Sequence, residues 1–139
     1  MKKLLFVVLC SLAFMACKKD AYDFPYARVN FEGIYPSNPV YKGLHFPGGS
    51  ASINGGVNGI LLFHDYFDNY TAYDRACTND PLNSCEQVYR DEENPNVLSC
   101  HCCESQYFIF DGSVTKGPAK QALHRYSTRF DGVELRVYN

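Results

Sequence analysis

Apolar and polar positions begin to alternate with period two at Ala27. Val29 and Phe31 alternate with Asn30 and Glu32, the mark of a half-buried strand. Two longer apolar runs follow. Gly59-Ile60-Leu61-Leu62-Phe63-His64 and Tyr70-Thr71-Ala72-Tyr73 predict buried strands, and the second delivers the chain to Cys77. Residues 86–90 and 97–99 predict two shorter strands, the second leading into a cysteine cluster, and the apolar run Tyr107-Phe108-Ile109-Phe110 follows it. Residues 123–130 and 133–138, joined at Asp131-Gly132, predict a closing hairpin. Turn signals fall between these segments: Pro36, Asn38-Pro39, Pro47-Gly48-Gly49, Asn54-Gly55-Gly56, Asp111-Gly112 and Gly117-Pro118-Ala119. Residues 78–85 read as a polar loop. Asp91 to Asn96 reads as a solvated acidic turn, because it lacks the regular alternation of oxygen donors that a calcium loop needs. No window after the N-terminus carries a 3.6-residue apolar period. The pattern therefore predicts an all-β fold, a small antiparallel sandwich or barrel.

The N-terminus reads differently. Lys2 and Lys3 precede an apolar run from Leu4 to Ala16 broken only by Ser11. A membrane-spanning helix needs about 20 such residues, so this run has the length of a signal-peptide core. It ends in Phe14-Met15-Ala16-Cys17, which resembles the lipobox of bacterial lipoproteins, with Phe14 where leucine is more usual. Residues 1–16 are thus expected to be a signal peptide, and 17–26 a lipidated cysteine (Cys17) with its tether. Residues 27–139 are expected to form a single β domain. Lys18-Lys19-Asp20 resembles the short charged tether of lipoproteins sent to the outer membrane. The expected location is the cell envelope, with the membrane joined through the lipid.

Composition narrows the function. The chain has 139 residues, 46% hydrophobic and 20% charged, with a formal net charge of −2, which suits one globular domain and no nucleic-acid partner. Seven cysteines are the abnormal feature. With Cys10 in the signal peptide and Cys17 lipidated, Cys77, Cys85, Cys100, Cys102 and Cys103 remain. An exported chain meets an oxidising compartment, where disulfides form, yet an odd number cannot all pair within one chain.

The cysteines and the turns after them are similar to one known family, the Rieske iron–sulfur domain. Its second cluster loop often reads Cys-Pro-Cys-His-Gly-Ser-x-Phe, followed by Asp-Gly, Gly-Pro-Ala and a last hairpin. Here the corresponding run is Cys100-His101-Cys102-Cys103-Glu104-Ser105-Gln106-Tyr107, then Asp111-Gly112, Gly117-Pro118-Ala119 and the closing hairpin. The first loop reads Cys77-Thr78-Asn79, with Cys85 beyond it. The resemblance spans roughly residues 57–138. It implies an antiparallel β fold with both cysteine loops at one tip, and a 2Fe-2S cluster for one-electron transfer. Cys77 and Cys100 match the two ligand cysteines. Asn79 and Cys103 stand where the ligand histidines belong, and Glu104 replaces a glycine. The resemblance further implies a Cys85–Cys102 disulfide and a Ser105 hydroxyl bonded to cluster sulfur.

Three readings of these residues follow. The leading one is a 2Fe-2S cluster on Cys77, Cys100 and Cys103, with a fourth ligand from Asn79, Cys85 or His101, serving a redox partner protein. The second is structural zinc on Cys77, Cys85, Cys100 and Cys103. The third is metal-free, with Cys85–Cys102 and either Cys77–Cys100 or Cys77–Cys103 as disulfides in an interaction module. Export weighs against the first: folded cluster proteins generally leave by the twin-arginine route, and this signal has Lys2-Lys3 without an arginine pair. Of the other histidines, His64 in its apolar strand is expected to be structural and His124 on the closing hairpin exposed. No hydrolase or transferase motif is present, so the chain is not expected to be an enzyme in its own right.

Overall fold

The computed structural model describes residues 23–139. The expected signal peptide, Cys17 and the start of the expected tether lie outside the described residues. The strands are β1 (Asn30–Ile34), β2 (Ser50–Ile53), β3 (Ile60–His64), β4 (Tyr70–Asp74), β5 (Val88–Arg90), β6 (Val97–Cys100), β7 (Gln106–Phe108), β8 (Val114–Lys116), β9 (Arg125–Phe130) and β10 (Leu135–Tyr138). They form two antiparallel sheets, one in the order β1-β10-β9-β4-β3-β2 and a smaller one in the order β5-β6-β7-β8.

β3 and β4 are buried along their whole length. Their alternation explains why both faces are apolar. Leu61, Phe63 and Tyr73 enter one core with Val88, Leu98, Tyr107 and Ile109 of the small-sheet side. Ile60, Leu62 and Ala72 enter a second core with Val29, Leu44, Tyr126, Leu135 and Val137. Successive side chains of a strand point to opposite faces, so one strand pair serves both cores. Each large side chain buried this way contributes about 1.5–3 kcal/mol.

The all-β class expected from the sequence is the class observed, with differences of detail. β2 and β8 add two strands that the apolar pattern does not announce. The stretch punctuated by Asn38-Pro39 holds a short 3-10 helix, Pro39–Leu44, capped by the Asn38 side chain, which accepts from the Val40 amide at 3.0 Å. His124 is half-buried rather than exposed; its ring stacks on Phe24 at a centroid distance of 4.4 Å.

Candidate metal centre

The tip of the small sheet is positioned from β4. Asp74, at the end of that strand, is fully buried and accepts four hydrogen bonds. The donors are the amides of Val57 (2.6 Å), Asn58 (3.1 Å) and Ala76 (2.8 Å) and the Tyr126 hydroxyl (2.7 Å). Gly56, at φ +63°, leaves the space that this carboxylate fills. Cys77 follows, and its amide donates to the Glu86 carbonyl at 2.7 Å, which folds the first loop back on itself.

The second loop leaves β6 at Cys100. The Cys100 amide donates to the Ser105 carbonyl, and the Glu104 amide donates to the Cys100 carbonyl, each at 2.9 Å. This tight turn puts Glu104 at φ +58°. A third segment locks both loops. The Ala119 amide donates to Ser105 Oγ at 2.9 Å, and Thr78 Oγ1 donates to the Gln121 carbonyl at 2.5 Å.

Four donor side chains meet inside this frame. One ligand atom each of Cys77, Glu86, Cys100 and Cys103 lies within 4.8 Å of every other. The Cys77 and Cys103 sulfurs are 3.4 Å apart. Cys77, Cys100 and Glu86 are buried, and Cys103 is half-buried. Burial pushes the Cys77 thiol far above its ordinary value, against hydrogen bonds from the Tyr107 hydroxyl and the Asn79 amide that favour the thiolate. Burial raises Cys100 too, against the amides of Cys103 and Cys102, which donate to its sulfur. Ser105 Oγ lies 3.1 Å from the Cys103 sulfur. Because that oxygen accepts from Ala119, its own proton is available to the sulfur.

Cys85 and Cys102 are joined by a disulfide, which leaves Cys77, Cys100 and Cys103 as free thiols. Closing a loop of this length contributes about 3 kcal/mol in the chain-entropy picture. One of the fourth-ligand candidates is thereby corrected. Cys85 has no free sulfur for a cluster or for zinc. His101 lies on the exposed side of its loop, its ring 4.8 Å from that of Tyr89. Asn79 stands beside the site rather than in it, donating from Nδ2 to Glu86 Oε1 at 2.9 Å. Neither a Cys77–Cys100 nor a Cys77–Cys103 disulfide is formed.

Glu86 is the donor that sequence reasoning missed. It sits at the head of a segment read as a strand, and no spacing motif marks it. His64 is buried and bonded on both ring nitrogens, to the Leu44 carbonyl and the Asp68 carboxylate, away from the thiols. Tyr66 and Phe67 are exposed, whereas nearby Tyr70 and Tyr73 are core.

A 2Fe-2S cluster needs two pairs of ligands with both irons and both bridging sulfides between them. The four donors here lie too close together to fit it. They match a tetrahedron around one ion: with metal–sulfur bonds of about 2.3 Å, neighbouring thiolates stand roughly 3.8 Å apart.

The two antiparallel sheets, with both cysteine loops at the tip of the smaller one, define a Rieske-like all-β domain. The solved cyanobacterial plasma membrane Rieske protein PetC3 from Synechocystis PCC 6803 aligns with 83% of this chain and 100% of its own, at a TM-score of 0.57 and 19% identity. The ferredoxin of carbazole 1,9a-dioxygenase from Nocardioides aromaticivorans aligns with 67% of this chain and 86% of its own, at a TM-score of 0.47 and 17% identity. No protein-family model matches the chain, and no curated protein does. At these identities the likeness is one of fold.

Proposed function

We propose that this chain is a lipid-anchored structural or interaction module of the cell envelope, built on a Rieske-like fold whose tip is braced without a 2Fe-2S cluster. The observation that carries this reading is the closeness of Cys77, Glu86, Cys100 and Cys103, all within 4.8 Å. The Cys85–Cys102 disulfide supports it, since it ties the two loops together independently of any cofactor. The signal with Lys2-Lys3 supports it as well, because export of an unfolded chain delivers no preassembled cluster. A run of aromatic rings at the end of the strands opposite the thiols suits a docking role. Phe108 and the exposed Tyr66 flank Phe110, at centroid distances of 5.0 and 6.0 Å. Anchoring at the outer membrane through Cys17 is part of the proposal.

The competing function is electron transfer through a 2Fe-2S cluster held by Cys77, Cys100 and Cys103. It draws its support from the fold and from one cysteine standing on each tip loop. It requires the donors to move apart.

Iron, acid-labile sulfide and zinc per chain, measured on protein purified from its native membrane, separate the two. The module reading expects neither iron nor sulfide. About two irons and two sulfides per chain would replace it with the electron carrier.

A further inference from the structure

We infer that Cys77, Glu86, Cys100 and Cys103 form a binding site for one thiophilic divalent cation of the zinc class, with three thiolates and one carboxylate oxygen as ligands. The inference deepens the cluster-free reading of the tip and rests on it.

The second loop supplies half of the site. Cys100-His101-Cys102-Cys103 has the Cys-x-x-Cys spacing that zinc sites use repeatedly, because it lets one turn present two sulfurs to the same ion. The Cys102 and Cys103 amides donate to the Cys100 sulfur, and the Asn79 amide donates to the Cys77 sulfur.

Glu86 supplies what the thiols lack. It is only 6% exposed, and among the described residues no lysine, arginine or histidine forms an ion pair with it. A buried carboxylate without a compensating charge is costly. Its partners are neutral: the Asn79 side chain donates to Oε1 at 2.9 Å and the Asp80 amide to Oε2 at 3.0 Å. Each oxygen retains a free lone pair after these bonds. Ligating carboxylates are ordinarily oriented by hydrogen bonds of this kind. Asn79 is then a positioning residue, acting on the ion through Glu86.

The cysteine count also closes. The disulfide uses Cys85 and Cys102. The ion uses the other three, so among the described residues no thiol is left over. Soft thiolates select zinc over magnesium or calcium, and a closed four-donor set is structural rather than catalytic.

The test uses the full lipidated chain in detergent, stripped with a chelator and titrated with zinc against a chromophoric competitor. One zinc per chain is expected. X-ray absorption at the zinc edge of the unmutated protein should show three sulfurs at about 2.3 Å and one lighter atom at about 2.0–2.2 Å. Glu86→Gln should weaken zinc by at least the ~10–100-fold that loss of an orienting partner costs, while His101→Ala leaves affinity unchanged. Failure of the folded protein to hold stoichiometric zinc overturns the inference and leaves the cluster-free module standing. So does a shell without the light atom, or an unchanged affinity in folded Glu86→Gln. Two irons with sulfide overturn both.

Discussion

The Tyr107 hydroxyl lies 3.2 Å from the Cys77 sulfur, and three segments of the tip converge on it. The Thr78 amide donates to its oxygen at 3.2 Å. Thr78 Oγ1 lies 3.0 Å away and passes the connection on to the Gln121 carbonyl. One phenol therefore joins the first cysteine loop, the strand after the second, and the segment that follows the Gly117-Pro118 turn. All of these groups are buried except Gln121.

Tyr107→Phe keeps the ring in the core and removes only this junction. It leaves the buried Thr78 amide without its acceptor, which costs about 1–3 kcal/mol. Urea unfolding should show a lower midpoint with an unchanged slope, because the surface exposed on unfolding is the same. A midpoint equal to that of the parent protein would mean that the hydroxyl braces nothing.

Glu104 occupies a left-handed position, φ +58°, where the related pattern has glycine. Its exposed carboxylate is 3.4 Å from Lys116 Nζ. A side chain in this conformation costs roughly 1–2 kcal/mol, whereas an exposed ion pair contributes about 0–1 kcal/mol. Glycine also raises the entropy of the unfolded chain, which takes back part of the gain. Glu104→Gly should therefore stabilise the protein by about 0.5–1 kcal/mol, read as a higher thermal midpoint. A lower midpoint would show that the Lys116 pair outweighs the strain.

Legibility in the sequence followed how locally each feature is determined. β3 and β4 declare themselves as apolar runs because both of their faces are covered. β2 and β8, with sequences Ser-Ala-Ser-Ile and Val-Thr-Lys, are short edge strands that bury little, so they leave no apolar pattern. The thiols could be placed at one tip because each follows a strand and a turn signal. Glu86 could not, because its burial depends on residues 78–85 doubling back until Asn79 and Asp80 reach its carboxylate. Such a loop closure has no periodicity to read. His124 was misjudged for a related reason: it precedes β9, and the covering ring, Phe24, comes from the far end of the chain.

That same placement makes His124 a pH-sensitive element. Burial lowers its imidazole below the ordinary value, opposed by the field of Asp74. The ring is stacked on Phe24 and meets Tyr126 edge-on at 5.0 Å. In the unfolded chain it takes up a proton near pH 6.5, whereas in the folded chain it does so only at lower pH. Between those values the unfolded state binds more protons, so stability rises with pH there. The contribution is complete above about pH 6.5 and is lost as pH falls through the folded value. His124→Phe keeps an aromatic ring between Phe24 and Tyr126 but does not titrate. Urea midpoints at pH 7.5 and 5.5 should fall less with acidification in this variant than in the parent. Equal falls would locate the acid sensitivity elsewhere. The aspartates that cap turns are the alternative source. Asp111 is held below its ordinary value by hydrogen bonds from Ser113, so its contribution is intact above the carboxylate range and is lost as pH falls through that range to the lower folded value. A fall beginning near pH 6.5 and absent from the variant is therefore specific to His124.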